Sequence, residues 1–151
     1  MSMLKNTIIT ACVALGLAAT GTSAAFAQEG GTLEKIKQSG EIVIGHRESS
    51  VPFSYLDDAQ KPVGYSIDLC MKIVDAVSKE LGQDISVKYV PVNPKTRIAL
   101  MANGTIDLEC GSTTNNLTRQ EQVEYLPTTF VTGTKLLVRK DGGIGDVSDL
   151  D

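Results

Sequence analysis

The residues best suited to chemistry lie in the stretch 106–122, where a short apolar strand gives way to hydrogen-bonding side chains. Gly111 ends the strand and allows the backbone to approach a ligand closely. Residues 112–116 read Ser-Thr-Thr-Asn-Asn, and each of these side chains can donate a hydrogen bond. Arg119 follows with a guanidinium that can bind both oxygens of a carboxylate. The stretch therefore predicts an anion receptor of carboxylate size, and a surface turn with an ordinary helix cap is the alternative.

A capping motif predicts the helix that should position this arginine. Thr118 and Glu121 have the spacing of a capping box, so the helix is expected to open at Arg119. The first N–H groups of a helix have no partner within the helix and attract anions. Main-chain donors are therefore expected beside the guanidinium of Arg119.

Two further arginines stand where a ligand could reach them. Arg47 follows the buried-strand pattern of residues 41–45, and ligands of α/β sheets bind beyond the carboxyl ends of strands. A surface ion pair with Glu48 or Asp57 is the alternative for Arg47. Arg97 falls in the first turn of a predicted helix, where the helix dipole disfavours a cation. That mismatch indicates that Arg97 has a partner.

Helical and strand patterns alternate along the chain in the order that a parallel sheet requires. Parallel neighbours need a crossover of about a dozen residues, which a helix supplies. Strand-forming residues recur at 127–139, and 146–151 resembles the start of another helix. We therefore predict an α/β fold with a mostly parallel sheet flanked by helices, built from helices at 33–39, 66–81 and 95–102 and strands at 41–45, 84–90 and 106–109.

The longest predicted helix, at 66–81, contributes an apolar face and one cysteine to the predicted core. Its apolar residues recur at three- and four-residue steps, which predicts one face packed on the sheet. Cys70 lies on that face, and Cys110 ends the strand of the polar stretch. An oxidising compartment would permit a Cys70–Cys110 disulfide, but we favour two buried thiols because the sequence gives no distance between them.

The N-terminal 27 residues have the pattern of a secretory signal peptide. Lys5 precedes an apolar run at 7–18, and Ala25-Phe-Ala27 supplies the small-x-small pattern before the cleavage point. A lipoprotein processing box ending at Cys12 is the alternative. We predict that residues 1–27 are removed and that residues 28–151 lie in the periplasm.

Composition narrows the classes of partner. Lys and Arg number 14 against 18 Asp and Glu, so the net charge is −4 at pH 7. Such a chain is not expected to bind nucleic acid or an anionic membrane by bulk charge, and an anion must be met by a local pocket. A single histidine and the lack of a Cys-x-x-Cys pair leave no metal site to argue for, so no cofactor is expected.

Three motifs carry a resemblance to a known family. The segments 45–55 (GHRESSVPFSY), 63–66 (VGYS) and 103–116 (NGTIDLECGSTTNN) resemble the family 3 solute-binding proteins of bacterial ABC transporters, in the branch that binds glutamate and aspartate. The resemblance implies a two-lobed periplasmic receptor that closes over its ligand and delivers it to a membrane permease. Residues 28–151 would form the first lobe, in a chain that looks truncated before the second.

The resemblance also implies roles for five residues. Arg119, Ser112 and Thr114 match the grip on the ligand's α-carboxylate and amino end, while Arg47 and Arg97 match positions that face the second carboxylate. Asn93-Pro94 departs from the hydroxyl-bearing pattern of close relatives, so the preference between aspartate and glutamate stays open.

Two other classes share this fold by analogy. One is the sensor domain of a receptor, and the other is a periplasmic enzyme such as a cyclohexadienyl dehydratase. An enzyme would need an acid or base within reach of its substrate, and His46, Glu48 and Glu109 are the candidates near the loop. The sequence shows no partner that would shift their pKa values, so we predict a monomeric binding protein that is not an enzyme.

Overall fold

The structure is a computed structural model, and it describes residues 31–150 of the chain. The predicted signal peptide at 1–27 lies outside the described residues, so its cleavage stays a prediction. Within residues 31–150, no helix has the length and apolar character needed to cross a membrane.

Helices and strands alternate through most of the described chain. The elements are α1 (Gly31–Ser39), β1 (Glu41–His46), β2 (Ser49–Ser50), β3 (Ser54–Leu56), β4 (Pro62–Val63), α2 (Tyr65–Leu81), β5 (Ser86–Pro91), α3 (Arg97–Ala102), β6 (Leu108–Cys110), α4 (Leu117–Gln120) and a short 3-10 helix (Val147–Leu150). Strands β1, β5 and β6 and helices α1, α2 and α3 match the predicted elements to within two residues at most ends. Their hydrophobic periodicity is strong enough to predict them.

The main sheet has three strands in the order β5-β1-β6. Both pairings are parallel, which confirms the predicted α/β fold with a parallel sheet. β1 lies in the centre and is buried because both of its faces are covered, as its run of β-branched residues predicts. His46 ends β1 opposite Cys110, the last residue of β6. Arg47 and Gly111 therefore leave the sheet side by side at its carboxyl edge.

A helix layer covers each face of β1. On one face, Ile42 and Ile44 pack with the predicted stripe of α2, whose Ile67, Cys70 and Val74 are buried. The other face holds a smaller cluster of Val43, Val92 and Ile106, with Leu100 and Met101 of α3 packed against it. Each fully buried aliphatic side chain contributes about 1.5–3 kcal/mol, so these clusters hold the layers together.

A second, antiparallel sheet of three short strands was not predicted. It has the order β2-β3-β4, and its strands are too short to show a period-2 pattern. Ser54 of β3 is fully buried, and its hydroxyl accepts a hydrogen bond from the backbone N–H of Arg47 at 2.9 Å. The small sheet therefore fixes the backbone of Arg47 as it leaves β1.

The preference for two buried thiols was wrong, because Cys70 and Cys110 form a disulfide. Cys70 lies on the buried face of α2, and that face packs directly over the last residue of β6. The sequence predicted the burial of both residues but could not give the distance that separates them. The bond ties α2 to the strand that precedes the polar loop.

The C-terminal part departs from two predictions. Residues 127–139, which the structure describes, form no strand, and side chains such as Val131 and Leu137 are exposed. Strand propensity is not sufficient there, since a strand also needs a neighbour to pair with. Asn116, not Thr118, caps α4, because its side chain accepts the N–H of Arg119 at 3.0 Å.

The disulfide is expected to stabilise the fold. Cys70→Ser should lower the free energy of unfolding by about 2–4 kcal/mol, because the bond closes a long loop in the unfolded chain. Denaturant unfolding with and without a reductant measures this loss. The reductant should destabilise the wild type but leave the variant unchanged, and equal stability of the reduced and oxidised wild type would contradict the prediction.

Candidate functional site

A cavity of about 500 Å³ opens at the carboxyl edge of the main sheet. The loop after β6, the start of α3, the buried side of α2 and the segment 123–132 line it. Arg97, Ser112 and Thr114, three of the five predicted site residues, belong to the lining. Arg47 and Arg119 are not among the lining residues but are close enough to act electrostatically on Arg97 and Glu109.

Arg97 is the buried cation of the site. Only 6% of the residue is exposed, and its Nε and Nη1 atoms are buried without a hydrogen-bond partner among the described residues. Burial lowers the pKa of Arg97, Glu109 acts in the opposite direction, and Arg119 and Arg47 lower it further. Because a buried donor without a partner is costly, the guanidinium is ready to bind an acceptor that enters the cavity.

Glu109 is the site residue that the sequence reasoning did not select for binding. It lies in the middle of β6 and pairs with Gly45 of β1, while its neighbours Leu108 and Cys110 pack on the opposite face. Burial raises the pKa of the Glu109 carboxyl, whereas the Thr113 hydroxyl and the nearby arginines lower it. Because side chains alternate along a strand, the sequence placed Glu109 on the face away from α2. This alternation was the one feature of the sequence that could have pointed to Glu109 as a site residue.

Arg47 reaches the same place from the end of β1. A Cβ atom added to Gly111 would lie 3.0 Å from the Cγ of Arg47 and in collision with the Glu109 carboxylate. The side chains of Arg47 and Glu109 therefore share the space beside Gly111. No ion pair joins Arg47 to Glu48 or Asp57 within residues 31–150, so the surface-pair alternative for Arg47 is not supported.

Arg119 is turned toward the loop backbone. Its Nη1 donates to the carbonyl oxygen of Thr114 at 2.8 Å, and the Tyr125 hydroxyl donates to the same oxygen at 3.3 Å. α4 has only four residues, and the Asn116 side chain already occupies the N–H of Arg119. The predicted main-chain donors at this helix start are thus partly engaged within the loop. The side chains of Ser112 and Thr114 remain exposed at the cavity.

Both hydrogen-bond donors and acceptors without partners are found among the described residues that line the cavity. Besides the two nitrogens of Arg97, the buried Glu109 Oε1 and Thr113 Oγ1 make no hydrogen bond of good geometry among the described residues, although the two groups lie near each other. Buried polar atoms are nearly always satisfied in folded proteins, so several exceptions in one cavity indicate a polar ligand. Among residues 31–150, no group of three His, Cys, Asp or Glu side chains is arranged to hold a metal ion.

Aromatic side chains form the outer wall of the cavity. Phe53 and Phe130 meet edge to face with ring centroids 4.9 Å apart, and Tyr65 lies beside both rings. The Tyr65 hydroxyl also donates to the carbonyl oxygen of Thr129 at 2.9 Å. These contacts hold Thr129 and Phe130, within the lining segment 123–132, against Phe53 and Tyr65.

Comparison with protein families matches residues 42–145 to the bacterial extracellular solute-binding proteins, family 3. The chain belongs to this family. The predicted family resemblance is thereby confirmed, and the matched range contains the main sheet, the small sheet and all of the residues described around the cavity.

Known proteins agree with this membership. The chain is 57% identical over 122 residues to the glutamate/aspartate import solute-binding protein of Salmonella typhimurium, covering 80% of this chain and 40% of that one. It is 51% identical over 144 residues to the protein of the same description from Escherichia coli, covering 95% and 47%. The cysteine-binding protein from Campylobacter jejuni matches with a TM-score of 0.53 and 30% identity, over 61% of this chain and 36% of that chain. The chain thus spans less than half the length of these relatives.

The space beside Gly111 can be tested directly. Gly111→Ala should lower the free energy of unfolding by about 1–3 kcal/mol, because the new methyl group overlaps the Glu109 carboxylate and Arg47. Gly133→Ala is the matched control, since nothing lies within 4 Å of its added Cβ. The control should change the free energy by less than about 0.5 kcal/mol. Equal effects in chemical denaturation would show that Gly111 does not provide this space.

Proposed function

We propose that the chain forms the first lobe of a periplasmic receptor that captures glutamate or aspartate and delivers it to the permease of an ABC transporter. The observation that carries this proposal is the buried guanidinium of Arg97 at the cavity, whose Nε and Nη1 atoms have no partner within residues 31–150, with Arg47 and Arg119 nearby. Three cations around one cavity favour an anionic ligand of small size. The names of the relatives from Salmonella typhimurium and Escherichia coli support the acidic amino acids as that ligand.

The proposed division of labour follows the positions of the five residues. Arg119 binds the ligand's α-carboxylate, with Ser112 and Thr114 at the cavity surface fixing its orientation. For this step, the Arg119 Nη1 atom exchanges the Thr114 carbonyl for a carboxylate oxygen, which makes a stronger, charge-assisted hydrogen bond. Arg97 and Arg47 bind the second carboxylate, and this supplies the partners that Arg97 lacks.

Selectivity for a dicarboxylate then follows from the cost of a buried, unpaired charge. A neutral analogue such as glutamine could neutralise only one of the two cationic groups. The Arg97 guanidinium would stay buried without an acceptor, and such mismatches are strongly disfavoured in closed sites. The ligand's second carboxylate is therefore the feature that the site selects.

The remaining parts of the proposal concern the whole protein. We infer that residues 1–27 serve as a signal peptide, that residues 28–151 act as the ligand-binding first lobe and that the receptor is a monomer in the periplasm. The family's description as extracellular supports export. The named relatives are binding proteins, which supports a role without catalysis, although the fold also hosts enzymes.

A panel of amino acids tests the ligand class. In thermal-shift measurements on the full-length gene product, glutamate and aspartate should raise the melting temperature, because a ligand that binds only the folded state stabilises it. Glutamine and asparagine serve as matched neutral controls and should give no shift. Equal shifts with the acids and the amides would contradict recognition of a second carboxylate.

Arg97→Met tests the residue that carries the proposal. Glutamate affinity, measured by calorimetry, should fall by at least about 30-fold, which corresponds to about 2 kcal/mol for a lost buried charge contact. Arg139→Met removes the same charge at an exposed position outside the cavity and should leave the affinity unchanged. An unaltered affinity in a folded Arg97→Met protein would exclude Arg97 from the site.

A further inference from the structure

Three cations cannot share a partly desolvated pocket without an anion, because their mutual repulsion is weakly screened there. We propose that Glu109 is the positioning residue that supplies this counter-charge and holds Arg47 and Arg97 toward the cavity. The inference rests on the proposed function, since its consequence is a site preset for a dicarboxylate. It assigns a role to a buried acid that would otherwise repel an anionic ligand.

The backbone places Glu109 where Arg47, Arg97 and Arg119 all come close enough to act on its carboxyl. Its strand, β6, is paired with β1, so Arg47 emerges on the neighbouring strand end. α3 packs against β6, and Arg97 is the first residue of that helix. Gly111 leaves the space beside it free of a Cβ atom, which allows the Glu109 carboxylate and the stem of Arg47 to lie together.

The hydrogen-bonding state of Glu109 fits a positioning role. Its Oε1 atom is buried and makes no hydrogen bond of good geometry within residues 31–150, although the Thr113 hydroxyl lies near the carboxyl. The Arg97 Nε and Nη1 atoms also lack partners there, and no ion pair joins Glu109 to an arginine in the described chain. An acceptor and donors that lack partners in one cavity can pair as the site closes around a ligand. Glu109 would then fix the orientation of Arg97 while the remaining donors of the guanidinium bind the ligand.

Charge counting indicates how this sets specificity. Arg47, Arg97 and Arg119 contribute 3 positive charges and Glu109 contributes 1 negative charge, so the site carries 3 − 1 = +2 when all are ionised. The two carboxylates of an acidic amino acid match that charge, and its α-ammonium group needs a separate acceptor. The ionised form of Glu109 is required for the match, so binding should depend on its protonation.

The surroundings of Glu109 determine the direction of the pH dependence. Burial raises the pKa of its carboxyl above the ordinary value near 4.5. The charged groups that act on it are Arg47 after β1, Arg97 of α3 and Arg119 of α4. Tyr125 is a further titratable group, and it acts on Arg97. His46 lies on the other face of the sheet, against Tyr89. The affinity should therefore fall as the pH is lowered through the raised pKa of Glu109, before the side-chain carboxylates of the ligands protonate near roughly 3.9–4.3.

The test compares Glu109→Gln with Glu48→Gln in the full-length gene product. Both variants replace a carboxylate by an amide of equal size, but Glu48 is exposed. Calorimetry at neutral pH should show glutamate and aspartate binding at least about tenfold more weakly in Glu109→Gln and within about twofold of wild type in Glu48→Gln. Unchanged or tighter binding by Glu109→Gln would overturn the proposal. A carboxylate that does not position the arginines would only repel the anionic ligand, so its removal would not weaken binding.

A pH titration separates positioning from general support of the fold. The wild type and Glu48→Gln should lose affinity with a titration above the ligand's own, and Glu109→Gln should lack that titration. If Glu109→Gln does not fold, the wild-type profile decides, and a flat profile down to the ligand's own titration overturns the proposal. If the wild type binds neither acid at neutral pH, the proposed function itself is wrong. Wild-type binding with an unaltered Glu109→Gln variant refutes only the role of Glu109.

Discussion

Buried charge is the constraint on which the rest of this structure depends. Arg97 is almost completely removed from solvent, and its guanidinium has nitrogens without partners among the described residues. Charges in this state destabilise a fold unless other groups compensate for the lost hydration. Here the compensation is long-range, from Glu109, and the repulsion of Arg47 and Arg119 works against it. A small anion that pairs with Arg97 would therefore stabilise this arrangement.

The scaffold keeps this arrangement from relaxing. β1 has a packed helix layer on each face, and the Cys70–Cys110 bond fixes the end of β6 against α2. Glu109 is the residue immediately before the bonded Cys110, so its backbone is held by the cross-link as well as by the pairing of β6 with β1. Gly111 then turns the chain away and makes room for two charged side chains. Rigid elements hold the acid and Arg97, whereas the polar loop that carries Ser112 and Thr114 is more exposed.

How far the sequence predicted the site depends on the range of the interactions involved. Periodicity predicted the packed face of α2 and the parallel order of the sheet, because both follow from local patterns. The misfit of a cation in the first turn of α3 predicted a partner for Arg97, but its Nε and Nη1 atoms have no hydrogen-bond partner among the described residues, so that partner stays a prediction. The disulfide was only the less favoured alternative, and the position of Glu109 beside the arginines was missed, since each depends on a distance between segments that only the fold defines. The strand predicted at 127–139 failed for the same reason, because propensity does not supply a pairing partner.

The buried hydroxyl of Ser54 connects Arg47 to a sheet that shares no strands with the main one. Arg97 and Arg119, in contrast, are carried by two separate helices. The three arginines thus belong to separate structural elements, and these elements can diverge independently during evolution. Mutations in the small sheet (β2, β3 and β4) can change how Arg47 binds a ligand while the apolar core keeps its sequence. A fold organised in this way offers natural selection a route to new solutes through the periphery.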